Sequence, residues 1–209
     1  MAFSMGPQAV AAATREKRQR QKSERRDAIL AAARKVFAQK GYDGTTVADI
    51  AKEAGVAAGT VYLYYASKTE LFAGLNFQLF QVINRALEVT QAPPDLVGAT
   101  RARIQGVFQA ARQHSDLVRL VFLNPDPRSE VARRMRRADE ERLRPLAELL
   151  RGGMDAGVVR LGDPYLLARI INGLVIMGLY QCFVQSDGRL VDTFQDTITD
   201  MVVGALRPS

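Results

Sequence analysis

Thr45-Thr46-Val47-Ala48-Asp49-Ile50-Ala51-Lys52-Glu53-Ala54-Gly55-Val56-Ala57-Ala58-Gly59-Thr60-Val61-Tyr62-Leu63-Tyr64-Tyr65 is the stretch that decides the fold. Thr46 followed three residues later by Asp49 has the spacing of a capping box, in which hydroxyl and carboxylate each satisfy a free backbone N–H at a helix start. The helix it opens is short and turns Val47, Ile50 and Ala51 inward. Gly55 interrupts it, because glycine takes the positive φ that a sharp turn between helices needs. A second short helix, about residues 58–65, follows at once. Val61 and Tyr65 lie four apart and face a core, which leaves Gly59, Thr60, Tyr62, Leu63 and Tyr64 outside. Two short helices joined by a glycine turn and resting on an earlier amphipathic helix make a helix-turn-helix. The outer residues offer hydroxyls, ring faces and close backbone approach, which suit phosphate oxygens and base edges. The same spacing also fits a plain helical hairpin with amphipathic surface tyrosines.

Outward from this stretch the pattern stays helical. Ile29, Leu30, Ala33, Val36 and Phe37 mark one face of a helix over residues 23–40, stopped at Gly41. Ser67-Lys68-Thr69-Glu70 is a second capping box and starts a helix from Lys68 to about Gln91, roughly 35 Å long at 1.5 Å per residue. A helix of that length can bridge two domains. Ala92-Pro93-Pro94 breaks it. Further helices are expected from Asp95 to about Gln113, through residues 117–122, from Pro127 to about Met154 with a kink at Pro145, from Asp163-Pro164 to about Ser186, and over residues 190–206. No alternating strand pattern persists. The expected fold is all-α, with about nine helices.

Charge sets the next bound. The 209 residues carry 29 basic and 22 acidic side chains, a net of +7. Residues 1–70 hold a net of +5 and residues 71–209 only +2. Seven basic residues (Arg15, Lys17, Arg18, Arg20, Lys22, Arg25, Arg26) crowd the start against Glu16 and Glu24. Clustered positive charge fits a polyanionic partner. A solvated, disordered start is the other reading of residues 1–22. One Cys (Cys182) excludes an internal disulfide, and with one His (His114) no Cys/His zinc site can be built. His114 is expected at the end of its helix, and Cys182 as a small buried hydrophobe. Residues 1–13 place their charges after the apolar stretch, the reverse of a signal peptide. Residues 166–184 are apolar but interrupted by Arg169, Asn172 and Gln181, so a buried helix or a helix–helix interface is expected instead of a bilayer span. No membrane, cofactor, metal or enzymatic role is expected, and the location is expected to be cytoplasmic.

Residues 25–72 resemble the DNA-binding domain of TetR-family transcriptional regulators. The resemblance rests on Ile29-Leu30-Ala31-Ala32-Ala33, Phe37, Gly41-Tyr42, Thr45-Thr46-Val47, Asp49-Ile50-Ala51, Ala54-Gly55-Val56, Gly59-Thr60-Val61-Tyr62, Tyr64-Tyr65 and Ser67-Lys68-Thr69-Glu70-Leu71-Phe72. It implies that Thr45 and Thr46 meet phosphate, that Gly59, Thr60 and Tyr62 enter the major groove, and that Tyr64 and Lys68 grip phosphates. Two positions depart from the family pattern. Ala57 stands where Ser is usual and removes a helix cap and a phosphate contact. Tyr65 stands where Phe is usual, and its hydroxyl needs a partner or an exposed ring edge.

The resemblance also implies a C-terminal all-helical domain that binds a small molecule and dimerises through its last two long helices, here residues 164–186 and 190–206. Gly173 and Gly178 would let such helices approach closely. Phe108, Phe122, Tyr165, Met177, Tyr180 and Phe183 read as core or as the lining of a pocket for an apolar or aromatic effector. The arginines of residues 127–154 read as a solvated face or as a site for an acidic effector.

The expected organisation is a basic arm (1–22), a helix-turn-helix DNA-binding domain (23–70), and a ligand-binding and dimerisation domain (71–209). The expected function is that of a homodimeric regulator, a repressor, released by an effector from a palindromic double-stranded DNA operator. The alternatives are an effector-independent architectural DNA-binding protein and an activator of the same family.

Overall fold

The computed structural model describes residues 7–88, 95–123 and 130–207. The described residues form nine α-helices: α1 (Pro7–Lys40), α2 (Val47–Glu53), α3 (Ala58–Tyr62), α4 (Lys68–Glu88), α5 (Leu96–Gln113), α6 (Ser115–Leu123), α7 (Glu130–Asp155), α8 (Pro164–Tyr180) and α9 (Val191–Leu206). A π-helical turn, Gln181–Gln185, extends α8. No strand occurs among the described residues. The chain divides into two compact units, Met1–Leu75 and Asn76–Ser209, and the division falls inside α4.

In the first unit α2 packs on α1, and α3 on α2. Ile29, Ala33, Val36 and Phe37 of α1 are buried with Ile50, Val61, Leu71 and Leu75. Phe37, Tyr42 and Phe72 form an aromatic cluster with centroids 5.2–5.8 Å apart, one pair stacked and two edge-on. The stops act as expected. Gly41 (φ +72°) closes α1 by donating to the Phe37 carbonyl at 2.9 Å. Gly55 (φ +64°) ends α2 in a Schellman arrangement, with Gly55 N–H on the Lys52 carbonyl and Val56 N–H on that of Ala51.

Three boundaries differ from the sequence reading. The first helix begins at Pro7, not near Ser23, so the basic arm is a continuation of α1. Ala, Arg, Lys, Gln and Glu are strong helix formers, and that propensity outweighs the charge crowding. The helix after the turn is shorter than expected and ends at Tyr62. The third difference is the π turn: the helix expected to run to Ser186 changes its hydrogen bonding at Gln181. The expected stop at residues 92–94 and the Pro127 start lie outside the described residues. Pro145 stands inside α7, which continues past it.

In the second unit α8 packs on α7 and α9, and α9 on α5. Asp95 caps α5 by accepting from Gly98 N–H at 2.6 Å. Asp163 caps α8 through Tyr165 and Leu166 N–H, with Pro164 at the first helical position. His114 stands at the end of α5, its N–H on the Ala110 and Ala111 carbonyls. Cys182 is buried in the π turn, and burial pushes its thiol up to about 11. Gly178 is closely packed: a Cβ there would displace the Ile198 Cδ1 methyl and lie 3.0 Å from the Phe108 ring. Gly173 faces open space.

By length and composition, residues Pro164–Gln185 form a helix long and apolar enough to cross a membrane. In the unit, Ala168, Ile171, Gly178, Leu179, Cys182 and Phe183 are buried, while Leu166, Ile170, Ile176 and Met177 form an exposed apolar row. On α9, Ile198, Val202 and Leu206 are buried inside the unit, and Met201 is exposed.

Candidate nucleic-acid interface and effector region

The outer surface of the helix-turn-helix is built by a few local bonds. Thr46 Oγ1 accepts from Asp49 N–H at 3.1 Å, and Asp49 Oδ2 accepts from Thr46 N–H at 3.0 Å. This reciprocal cap fixes the start of α2. Lys40 Nζ lies 2.6 Å from Asp49 Oδ1. The Lys40 ammonium, then the Thr46 hydroxyl and N–H, hold the Asp49 carboxyl well below the usual carboxylate range.

Helix α3 turns Val61 into the core and its other side outward. Gly59 is exposed, with open space where a Cβ would stand. Tyr62 is 54% and Leu63 79% exposed, so two large apolar side chains project together from the domain. Thr60 and Tyr64 are half-buried beside them. Ala57 precedes α3 without a side-chain cap, as the missing Ser implied. Tyr65 is buried, and Arg26 supplies the partner its hydroxyl needs: Nε donates to Oη at 3.3 Å, and the guanidinium lies 5.4 Å from the ring centroid. Burial raises the Tyr65 hydroxyl above its ordinary value, against the lowering effect of Arg26.

Lys68 opens α4. Its Nζ donates to the Tyr42 carbonyl at 2.8 Å and lies 4.4 Å from the Tyr42 ring centroid. One of its three donors is thereby used, and the charge is held at the edge of the site. The second capping box is displaced by one residue from the expected pattern. Ser67 Oγ accepts from Glu70 N–H, while the Glu70 carboxylate accepts from Ala66 N–H at 2.5 Å.

Thr45 requires a correction. It is 2% exposed, and its hydroxyl donates to the Gly41 carbonyl at 2.6 Å. That side chain locks the turn between α1 and α2 and is not presented to a phosphate. Thr46, Gly59 and Tyr62 are exposed on this unit, and Thr60, Tyr64 and Lys68 are partly buried.

The six residues named for an effector pocket do not share one place. Phe108 and Phe183 are buried in the core. Phe122 and Tyr180 meet edge-to-face at 6.1 Å. Tyr165 and Met177 are exposed on α8. Tyr165 lines a cleft of about 540 Å³ with Glu141, Arg144, Asp163, Leu166 and Arg169. Sequence reasoning missed three other residues. The side-chain oxygens of Gln78, Asn84 and Thr100 are buried without a hydrogen-bond partner. Such groups are costly to bury unpaired. Their only sequence signal was a polar residue on an otherwise apolar helix face.

The fold and this surface define an all-helical protein with a helix-turn-helix unit at its start. Comparison with known proteins agrees. Residues 29–75 match the family described as bacterial regulatory proteins, tetR family. The HTH-type transcriptional regulator YuxN of Bacillus subtilis (strain 168) is 31% identical over 96 residues, 46% of this chain and 33% of that protein. The chain spans between 25% and 54% of the length of YuxN and three further curated HTH-type regulators. Two solved structures share the fold. FadR from Bacillus subtilis, in complex with stearoyl-CoA, has a TM-score of 0.74 at 22% identity, covering 86% of this chain and 98% of that one. A TetR transcription regulator from Haloarcula marismortui has a TM-score of 0.74 at 21% identity, covering 88% and 99%. Over residues 29–75 the chain is thus similar to the DNA-binding region of tetR-family regulatory proteins.

Proposed function

We propose that the protein is a ligand-responsive transcriptional regulator, a repressor that binds a palindromic operator as a homodimer and is released by a small molecule. The observation that carries this reading is the outward Gly59, Tyr62 and Leu63 with the partly exposed Thr60, on the unit that also carries Thr46 and Lys68. Tyr62 and Thr60 are assigned to base edges, and Thr46, Tyr64 and Lys68 to phosphates. DNA binding is assigned to residues 23–70 and effector binding and dimerisation to residues 71–209, with residues 7–22 as a helical extension of the first. A TetR-type regulator acts in the cytoplasm, where its DNA is.

The second unit is assigned the effector and the dimer contact. The exposed row Leu166, Ile170, Ile176 and Met177, with the open Gly173 between, is an apolar surface suited to pairing with its copy. α9 contributes less apolar area than its sequence suggested, since most of its apolar side is used within the unit.

The effector is assigned an apolar body with polar groups. The unpaired Gln78, Asn84 and Thr100 oxygens favour a ligand that brings hydrogen-bond partners over a pure hydrocarbon or a bare aromatic. A fatty acyl thioester of coenzyme A satisfies both requirements, and its phosphates are assigned to Arg144 and Arg169, which share the α7–α8 cleft with Glu141 and Asp163. The stearoyl-CoA bound by the FadR neighbour supports this choice. Binding favours one of two conformations and lowers operator affinity by the ligand's differential affinity for them. Anisotropy of a labelled operator duplex should fall on adding stearoyl-CoA at micromolar concentration. Unchanged anisotropy, with no thermal shift of the protein by acyl-CoA, would refute the effector assignment.

A further inference from the structure

The N-terminal half of α1 carries an ordered charge stripe that the helix-turn-helix reading leaves unused. Residues 14–28 are all exposed on a helix continuous from Pro7 to Lys40. Arg15, Arg18, Lys22, Arg25 and Arg26 recur at three- and four-residue steps and so share one face. The same steps continue into Ile29, Ala32, Ala33 and Val36, which are buried in the domain. The basic stripe is therefore collinear with the side of α1 that holds the helix-turn-helix. Glu16, Glu24 and Asp27 fall on the opposite face, where Arg20 pairs with Glu24 at 2.9 Å. Arg26, the last residue of the stripe, lies against Tyr65, the neighbour of Tyr64 at the end of the helix-turn-helix. Five positive charges thus extend about 17 Å along one line, ending at the residue that meets Tyr65.

We infer that this stripe is a second DNA-binding surface, a preformed helix that lies along the phosphate backbone flanking the operator. It supplies affinity without sequence selection, because phosphate contacts carry no base information. Residues 14–27 of the helix are polar on every side, and duplex DNA is the occupant that the charge of this stretch fits. The inference rests on the DNA-binding reading above.

The test compares two double variants of equal charge loss on opposite faces. Arg18→Gln/Lys22→Gln removes two charges from the stripe, and Lys17→Gln/Arg20→Gln removes two from the back. Glutamine keeps helix propensity near that of Lys and Arg. Binding of the full-length protein to a mixed-sequence 40-base-pair duplex is measured against salt. The stripe variant should show a salt slope shallower by about 2 per protomer, and the back variant a slope close to wild type. Equal slopes for the two variants would overturn the inference while leaving the helix-turn-helix reading intact. Failure of the wild-type protein to bind any duplex would sink both. Loss of binding to phosphatidylserine vesicles by the stripe variant, with its duplex slope unchanged, would also overturn it.

Discussion

At the scale of single residues, the proposed DNA surface separates side chains that hold the domain from side chains that face outward. Thr45 and Thr46 are adjacent hydroxyls with opposite roles: one is buried on the Gly41 carbonyl, the other sits exposed at a helix cap. Sequence could not separate them, because the difference lies in which way the loop turns after Gly44. Thr45→Val should cost about 1–2 kcal/mol of stability in denaturant melts and leave the salt dependence of DNA binding unchanged. Lys68→Ala should weaken binding to all duplexes and reduce the salt slope by about one per half-site. Tyr62→Ala should instead erode the preference for operator over random DNA by about 1–3 kcal/mol per lost base contact. Competition titrations with the two duplexes check both. Asp49 gives a pH signature. Its carboxyl titrates lower in the folded chain than in the unfolded one, so its stabilisation is complete above the unfolded value of about 4 and is lost as pH falls below it. Asp49→Asn should be less stable than wild type at neutral pH and show a flatter loss of melting temperature below about pH 4.

At the scale of elements, caps and stops were legible because they are local chemistry. Thr46–Asp49, Gly41, Gly55 and Asp163-Pro164 each set a helix end where their residue types require one. What sequence could not show was which of two apolar faces a helix spends inside its own unit. On α9 the row Ile198, Val202 and Leu206 is buried, while on α8 the row Leu166, Ile170, Ile176 and Met177 stays outside. The π turn at Gln181–Gln185 has no marker in residue type, and the helical state of residues 7–22 was masked by their charge. The two glycines of α8 likewise divide. Gly178→Ala should lower stability, since Ile198 and Phe108 must give way, whereas Gly173→Ala should leave the fold of the unit intact. Ile170→Glu should convert the proposed dimer to a monomer near 23.0 kDa, read by light scattering at micromolar concentration. A dimer that persists would move the interface elsewhere.

At the scale of the whole molecule, charge and packing divide the work between the two units. The first unit carries most of the net positive charge and an outward row of hydroxyls and ring faces. The second carries an exposed apolar helix face, a cleft holding two arginines, and three buried unpaired oxygens. The fold class and the helix-turn-helix were legible from short-range spacing. The effector region was not, because a pocket is made by residues distant in sequence, and aromatic residues at helical spacing look the same in a core as in a lining. The central claim is sequence-specific reading of DNA by a symmetric pair of α3 helices. Its most direct test is selection of bound duplexes from a randomised pool by the purified full-length protein, followed by sequencing. The account predicts enrichment of an inverted repeat whose half-sites lie about one helical turn apart, or a multiple of it, and loss of that enrichment with Tyr62→Ala. No enrichment over the input pool, or the same sequences recovered by wild type and Tyr62→Ala, would contradict it.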